Sequence, residues 1–376
     1  MTTVATVITR LEGGAGVMAL RGVLGLDRSA FEPLIITGSG GRLTELASAH
    51  GVEIVVDPVL KATIDPVADV RAVRWLSSLL SDYKPDVVHT HCAKAGTIGR
   101  LAARRAGTRR IVHTYHGFPF HEFQSRARRC AYIAVEQRLG RITDVGLCVG
   151  TGVAVEAIRR GLIAPERVRT IGVVVDGPTG ADVPRPVTTE SRAQARRLLG
   201  IAGDQFVVGA VGRLAYQKAP DHFVAAISAL GRRDVVGVWV GGGELANRTA
   251  RLSRKAGQHV VFCGERADVA AVLPAFDVFA LPSRYEGLPI AVAEAMASGV
   301  PVVATAVNAV ADLVEPGVTG LLVPPGRPEL LASAVGHLLD SPAEAASLAR
   351  AARRRIGARY RLPALRSALE AAYSSR

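Results

Sequence analysis

The stretch "DVFALPSRYEGLPIAVAEAMASGVPVVAT", residues 277–305, places a polar turn and a helical segment between two apolar segments. The segments at 277–281 and 301–305 are short and continuously apolar, which predicts strands buried on both faces. Pro289 suits the first position of a helix, and Gly299 suits its C-terminal cap. The stretch therefore predicts a strand, a helix and a second strand, the repeating unit of a parallel α/β sheet.

The same alternation continues on both sides of this stretch. Further strands are predicted at 3–9, 33–37, 52–56, 86–90, 110–114 and 145–149, and then at 205–212, 235–240, 258–262 and 320–323. Helical spacing occupies 66–81, 94–106, 219–230, 289–298 and 342–373. The pattern breaks at 176–189, where proline and glycine predict a linker. We therefore predict two Rossmann-like, doubly wound α/β domains, 1–180 and 190–355, that face each other across a cleft.

Composition narrows the possible functions. The chain has 376 residues and a formal net charge of +13. A basic surface attracts anions such as nucleotides, and because the charge is spread along the chain it does not indicate a nucleic-acid-binding module. Four cysteines without a CxxC pair indicate neither a zinc nor a redox site. No segment resembles a signal peptide or a membrane span, so we expect a cytoplasmic protein.

Two glutamates in the opening stretch are the first candidate ligands. Glu286 lies in the predicted turn at a strand end, and Glu294 lies within the following helix. The start of that helix offers unpaired N–H groups to an anion, and each carboxylate can accept hydrogen bonds from the vicinal hydroxyls of a sugar or ribose. The alternative interpretation is a solvated loop residue and a helix residue paired with arginine.

Further candidates follow other predicted strands. Arg213 and Lys218 come directly after the strand at 205–212 and could hold a diphosphate, or be ordinary surface cations. "HTYHGFPFHEF", residues 113–123, contains His116 in its most loop-like part, and the default alternative for each histidine is a structural one. The Arg-rich segment 124–141 is either a solvated helix face or a surface for an acceptor or a membrane. The chain has no D-x-D sequence and no His/Cys/carboxylate cluster at metal spacing, so no metal site is predicted.

Five segments together carry a resemblance to a known family. They are "LEGGAG", "HTYHGFPFH", "VGRLAYQK", "SRYEGLPIAVAEAMASGVPVVAT" and "EPGVTGLLVPP". They resemble the retaining glycosyltransferases of family 4, which have the GT-B fold, and they span almost the whole chain. The two glutamates, separated by seven residues, are the most specific element.

The resemblance implies roles for individual residues. It implies that the second domain binds a nucleotide-sugar donor, the first an acceptor, and that the helix within 356–376 crosses back to the first domain. Arg213 and Lys218 match cations on the diphosphate, Glu286 the ligand of the transferred sugar, and Glu294 the ligand of ribose. The remaining matches are backbone donors at Gly287 and Leu288, His116 near the 6-position of the sugar, and Gly14 and Gly16 in a loop that closes over the donor.

The resemblance also implies an activity. We expect transfer of a sugar, from a UDP-sugar in the first instance, to a hydroxyl of a small-molecule or natural-product acceptor, with retention and without a metal or other cofactor. One alternative is an enzyme at the membrane surface that acts on a lipid-linked acceptor in polysaccharide or glycolipid biosynthesis, and another is a nucleotide-sugar 2-epimerase of the same fold. The chain departs from the family at 308–312, where "NAVAD" replaces a glycine-rich element, and at Ala219, where glycine usually follows the lysine. The sequence does not define the oligomeric state.

Overall fold

The computed structural model of the protein describes residues 1–176, 185–201, 204–257 and 260–374. The chain divides into two compact units, one made of residues 1–182 with 360–376 and the other of residues 183–359. Residues 177–184 of the predicted linker lie outside the described residues.

The first unit contains a parallel sheet. Its described strands are β1 (Thr2–Ile8), β2 (Phe31–Thr37), β3 (Glu53–Val56), β4 (Val87–His91), β5 (Arg110–Tyr115), β6 (Val145–Cys148) and β7 (Val168–Thr170). They are ordered β3-β2-β1-β4-β5-β6-β7, so the chain reverses its winding direction between β1 and β4. Ligands bind beside the carboxyl ends of strands at such a reversal.

Six helices connect these strands. They are α1 (Gly13–Gly25), α2 (Arg42–Ala49), α3 (Pro66–Tyr83), α4 (Ala93–Arg105), α5 (Arg126–Gly140) and α6 (Thr151–Arg159). One apolar cluster packs α3 and α4 against the sheet, and another packs α1 and α2. Both faces of the sheet are covered, which explains why its strands are continuously apolar.

The second unit repeats the plan with six described strands. These are β8 (Phe206–Val211), β9 (Val235–Val240), β10 (Val260–Phe262), β11 (Val278–Leu281), β12 (Val302–Thr305) and β13 (Leu321–Val323), in the order β10-β9-β8-β11-β12-β13. The helices are α7 (Thr189–Leu199), α8 (Pro220–Leu230), α9 (Ala246–Lys255), α10 (Val269–Val272), α11 (Ile290–Ser298), α12 (Val310–Leu313), α13 (Pro328–Asp340) and α14 (Pro342–Ile356). Winding reverses between β8 and β11, so this pair of strands is where a ligand site is expected. Residues 258 and 259 of the predicted strand 258–262 lie outside the described residues.

The final helix, α15 (Leu362–Ser374), belongs to the first unit, where it packs against α1. A Cβ atom at Gly25 would lie only 2.8 Å from the side chain of Leu362, and one at Gly22 would lie 3.0 Å from that of Leu369. Gly22 and Gly25 of α1 therefore allow the close approach of α15.

Three details differ from the sequence predictions. The helical stretch predicted at 342–373 is broken, because Gly357 has a φ of +29° and Pro363 fits only the first turn of a new helix. Pro289 precedes α11 as its N-cap instead of occupying its first turn. Strand β7 was not predicted, since its three residues, "VRT", are too short to show a pattern.

Candidate active site

Two loops meet at the winding reversal of the second unit. A 3₁₀ turn at Tyr216–Lys218 follows β8, and the segment 282–289 follows β11. Because β8 and β11 are parallel neighbours, both segments leave the same edge of the sheet. The backbone N–H of Arg284 donates to the carbonyl of Gln217 at 2.8 Å, which joins the two loops.

Glu286 is at the centre of this edge and is 6% exposed. Its Oε1 accepts hydrogen bonds from Lys218 Nζ at 2.5 Å and from Ser283 Oγ at 2.6 Å, and its Oε2 accepts one from Gln217 Nε2 at 3.2 Å. A carboxylate can be buried in this way only when it is paired and hydrogen-bonded. The interpretation of Glu286 as a solvated loop residue is therefore wrong.

The backbone of Glu286 is held by a third strand end. Its N–H donates to Oδ1 of Asn308 at 3.0 Å, and Thr305 Oγ1 at the end of β12 donates to the carbonyl of Ser283 at 2.7 Å. Asn308 has a φ of +43°, a left-handed conformation that asparagine tolerates better than most residues. Asn308 thus combines a turn that few side chains allow with an acceptor for the Glu286 amide.

Arg284 fixes the turn that carries Lys218. Its guanidinium donates to the carbonyl of Tyr216 at 2.8 Å and to the carboxylate of Asp221 at 2.6 Å, and it lies 4.3 Å from the centroid of the Tyr216 ring. These contacts combine hydrogen bonds, an ion pair and a cation–π contact on one side chain. The position of Lys218 is therefore set from both ends of the loop pair.

The other candidates of the second unit lie on the same two loops and on α11. Arg213 is exposed after β8, whereas Gly287 and Leu288 are buried directly before α11. The first N–H groups of a helix lack partners within it, so the start of α11 presents donors beside Glu286. Glu294 lies on α11 and is partly buried. This arrangement of a paired carboxylate, two cations and a helix start can bind an anionic ligand that also carries hydroxyl groups.

The triple-glycine turn after β9 serves packing. A Cβ atom would lie 2.1 Å from the carbonyl oxygen of Gly212 if added at Gly241, and 2.5 Å from that of Leu214 if added at Gly243. Only glycine permits this approach of two backbones, which gives "WVGGGEL", residues 239–245, a structural role.

Three histidines, His89, His91 and His116, gather on one face of the first unit's sheet near its carboxyl edge, and a fourth, His113, lies on the other face, against α4. His91 ends β4 and His116 follows β5; Nδ1 of His91 lies 2.9 Å from Nε2 of His116, and the two rings are stacked with centroids 5.2 Å apart. His89 contacts the hydroxyls of Tyr373 and Thr114, each at 2.7 Å. The fourth, His113, lies 2.8 Å from Thr90 Oγ1.

Burial keeps this cluster uncharged. It lowers the pKa of His89 to about 3 and that of His116 to about 4, and it also places the pKa values of His91 and His113 well below the ordinary value. All four rings are therefore neutral at pH 7. Each then has one N–H donor and one acceptor nitrogen, and it must find a partner for each or lose a hydrogen bond.

The chain matches known protein families over both units. A model described as Glycosyltransferase Family 4 matches residues 12–176, and one described as Glycosyl transferases group 1 matches residues 205–341. The UDP-Gal:alpha-D-GlcNAc-diphosphoundecaprenol alpha-1,3-galactosyltransferase of Escherichia coli is 30% identical over 306 residues, which are 79% of this chain and 77% of that protein. The chain belongs to glycosyltransferase family 4.

Other relatives and solved structures agree with this assignment. A D-inositol 3-phosphate glycosyltransferase of Actinosynnema mirum is 34% identical over 68% of this chain and 64% of that protein. The crystal structure of Anabaena Alr3699/HepE in complex with UDP and glucose superposes with a TM-score of 0.86 at 21% identity, covering 100% of both chains. The sucrose-phosphate synthase of Thermosynechococcus elongatus gives 0.84 at 22% identity, covering 99% of this chain and 98% of that one. The predicted GT-B fold, with two Rossmann-like domains, is confirmed. Both family models and both sequence relatives are named as glycosyltransferases, so the epimerase alternative has no support.

Two of the family-4 matches lie in a different local structure from the one predicted. Gly14 and Gly16 are in the first turn of α1 and not in a loop. Gly16 is buried, and a Cβ atom there would lie 2.7 Å from the backbone of Leu11. Gly16 therefore allows the start of α1 to pack closely against the segment that precedes it.

Several side chains of the family-4 site were not predicted. Ser283, Gln217 and Arg284 lie inside quoted motifs, but nothing in their spacing shows that they would converge on Glu286 or on its loop. Asn308 was noted only as a departure from the family. The segment 124–141 forms α5, whose arginines are mostly exposed; the exposed ones are Arg126, Arg128, Arg138 and Arg141.

Proposed function

We propose that this glycosyltransferase moves a hexosyl group from a UDP-sugar to a hydroxyl of its acceptor, with retention of the anomeric configuration. The supporting observation is the pairing of Lys218 with the buried Glu286 beside the start of α11. A nucleotide-sugar presents a diphosphate next to a ring of hydroxyls. The site presents cations and helix N–H groups next to a carboxylate, which is the complementary set.

In the proposed reaction the bond between the anomeric carbon and the diphosphate breaks. Negative charge grows on the leaving phosphate, where Arg213, Lys218 and the start of α11 stabilise it. Glu286 accepts hydrogen bonds from hydroxyls of the transferred sugar, and Glu294 accepts them from the ribose. His116 contributes a further hydrogen bond to the sugar. The acceptor oxygen attacks on the face that the diphosphate leaves, and the departing phosphate takes its proton.

Glu286 and Lys218 both keep hydrogen-bonding capacity for a donor while they remain paired. Oε1 of Glu286 already accepts from both Lys218 and Ser283, whereas Oε2 has the single, longer contact with Gln217. Oε2 is thus the oxygen with free lone pairs for sugar hydroxyls. Lys218 can turn its remaining N–H groups to phosphate without leaving Glu286, since an ammonium has three donors.

The choice of UDP rests on relatives. The Escherichia coli relative is named for UDP-Gal, and the Anabaena protein was crystallised with UDP and with UDP-glucose. A thermal-shift screen of UDP-, GDP-, ADP- and dTDP-sugars tests this choice, because a ligand of the folded state raises its apparent stability. UDP-sugars should give the largest shift, and Lys218→Ala should abolish most of it. A larger shift with GDP-sugars would overturn the choice of base and leave the family unaffected.

For the acceptor, we favour a lipid-linked diphosphate over a soluble hydroxylated molecule. The Escherichia coli relative is named for a diphosphoundecaprenol-linked acceptor, and the exposed arginines of α5 would suit an anionic surface. No described helix is long and apolar enough to cross a membrane. Sedimentation with vesicles of anionic or of neutral phospholipid tests this acceptor class. Binding only to anionic vesicles, lost in an Arg126→Glu/Arg128→Glu variant, is expected; no binding to either would favour the soluble acceptor.

We further propose that transfer needs no metal. Among residues 1–176, 185–201, 204–257 and 260–374, no three His, Cys, Asp or Glu side chains are grouped so as to hold one. The charge of the leaving group would be met by Arg213, Lys218 and α11. Turnover in EDTA should equal turnover in Mg²⁺. Loss in EDTA with recovery in Mg²⁺ or Mn²⁺ would show that these groups are insufficient.

A further inference from the structure

His91 and His116 form a pair whose geometry is set by the sheet. β4 and β5 are parallel neighbours, and His91 is opposite Thr114 in their register. His116 comes two residues after Thr114, so both rings emerge at the same edge. His91 is 4% exposed and cannot move far. The contact between the two rings is therefore built by the strands and not by a loop alone.

The hydrogen bond between these rings contains one proton. It joins Nδ1 of His91 to Nε2 of His116 at 2.9 Å, and both rings are neutral because they are buried. If His91 donates from Nδ1, then His116 carries its own proton on Nδ1. If His116 donates from Nε2, then its Nδ1 is an acceptor. In either case the protonation of one ring fixes that of the other.

The other two buried histidines of these strands have different partners. His89 is held by two hydroxyls and His113 by Thr90. A hydroxyl can rotate to donate or accept, so these contacts do not couple the tautomer of either ring to that of another ring. His91 is the side chain that both stacks on His116 and occupies one of its nitrogens.

We propose that His91 is a positioning residue, which fixes the orientation of His116, couples its tautomer to that of His91 and leaves Nδ1 of His116 as the nitrogen that meets a ligand. The inference rests on the proposed function only for the identity of that ligand, the transferred sugar. His91 itself touches no substrate in this proposal. Its effect is to decide whether His116 offers a donor or an acceptor.

Nitrogen NMR of the free protein tests the pair without any substrate. In ¹⁵N-histidine-labelled protein at pH 7, His116 should show one neutral tautomer, assigned by the signals that His116→Ala removes. His91→Ala should shift the His116 ring nitrogens toward a mixture of tautomers. His91→Asn should preserve them, because an asparagine side chain places a polar atom where Nδ1 of histidine lies. His91→Gln, which instead mimics Nε2, should not.

A matched control is His113→Asn, which removes a buried histidine on the opposite face of the same sheet. It should leave the His116 nitrogen signals where they are, because His113 is bonded to Thr90. Unchanged His116 signals in His91→Ala would overturn the proposal, as would a charged His116 at pH 7. If His91→Ala does not fold, His116→Ala tests the pair from the other side, since His91 should then lose its fixed tautomer.

Kinetics test the consequence for transfer. His91→Ala should lower kcat and kcat/KM for the UDP-sugar by the same factor, about tenfold, because one transition-state hydrogen bond is misdirected. His91→Asn should recover to within about threefold of the parent. A change in KM alone would contradict the positioning role. If the parent enzyme transfers from no UDP-sugar, the proposed donor fails while the NMR result stands by itself.

Discussion

The carboxyl edges of the two sheets bear opposite kinds of polar site. In the second unit the polar groups are charged, with Lys218 paired to Glu286 and Arg284 paired to Asp221. In the first unit the histidine cluster is buried and neutral. Under the proposed function, the charged edge would stabilise the leaving group of the donor and the neutral edge would exchange hydrogen bonds with hydroxyl groups. The two edges differ in the side chains at their strand ends and not in the order of their corresponding strands.

The largest expected effect is that of removing the cation from the charged edge. Lys218→Ala should lower kcat by about 10²–10³-fold, since it deletes a preorganised charge that stabilises the leaving group. It also leaves Glu286 buried without its cation, which should lower the free energy of unfolding by about 3 kcal/mol. Steady-state transfer and urea denaturation measure the two effects. The control Lys255→Ala, on the exposed end of α9, should change neither, and a normal kcat in Lys218→Ala would remove lysine from the mechanism.

The sequence predicted this edge better than the neutral one, for physical reasons. Parallel strands must end at one edge, so residues after predicted strands, such as Lys218 and Glu286, could be placed together before any contact was known. The hydrogen-bond partners of these side chains could not be predicted in this way. Asn308 reaches the Glu286 amide through a turn with positive φ, and Tyr373 reaches His89 from the last helix. Such contacts depend on loop geometry and long-range packing, which leave no period in the sequence.

The next largest expected effect is that of acid, which should destabilise the first unit more than the second. Burial depresses the pKa of His89 to about 3 and of His116 to about 4, against about 6.5 in an unfolded chain. Below pH 6.5 the unfolded state therefore takes up protons that the folded state cannot, and stability is lost as the pH falls toward 4. By pH 5 each such histidine should cost about 2 kcal/mol.

The second unit should lose less stability than the first between pH 6.5 and pH 4. Its exposed carboxylates with lowered pKa values, Asp234 and Asp268, lose their contribution only when the pH falls below about 4, and His222 is only half-buried. Amide hydrogen exchange at pH 7 and pH 5, corrected for intrinsic rates, should show that the free energy of opening falls more in the first unit than in the second. His89→Gln should remove the contribution of one histidine from the pH dependence of the first unit's stability. A larger loss of stability in the second unit would mean that the histidine cluster does not control acid stability.

A smaller effect should separate the two glutamates of the charged edge. Glu294→Ala should raise the dissociation constant of UDP roughly ten- to a hundredfold, because under the proposed function it deletes a charged partner of the ribose worth about 1.5–3 kcal/mol. Glu286→Ala should leave UDP affinity nearly unchanged, since UDP has no sugar, and should reduce kcat instead. Calorimetric titration with UDP, followed by transfer kinetics, measures both. Equal losses of UDP affinity would show that the roles are misassigned.

The smallest effect concerns Asn308, and it sharpens the comparison by asking whether the charged edge is positioned as closely as the neutral one. Asn308→Gly keeps the left-handed turn but deletes the acceptor for the Glu286 N–H, a loss of about 1 kcal/mol that should lower kcat roughly fivefold. Asn308→Ala deletes the same acceptor and also holds an alanine in a left-handed conformation, which costs about 1–2 kcal/mol. Its kcat should therefore fall further than that of Asn308→Gly, and its Tm should be lower. Asn308→Asp should keep both the turn and an acceptor and remain close to the parent in kcat. If glycine and alanine reduce kcat and Tm equally, then backbone strain has no part; if glycine matches the parent, Asn308 serves only to shape the turn, and Glu286 is positioned by Ser283, Gln217 and Lys218 alone.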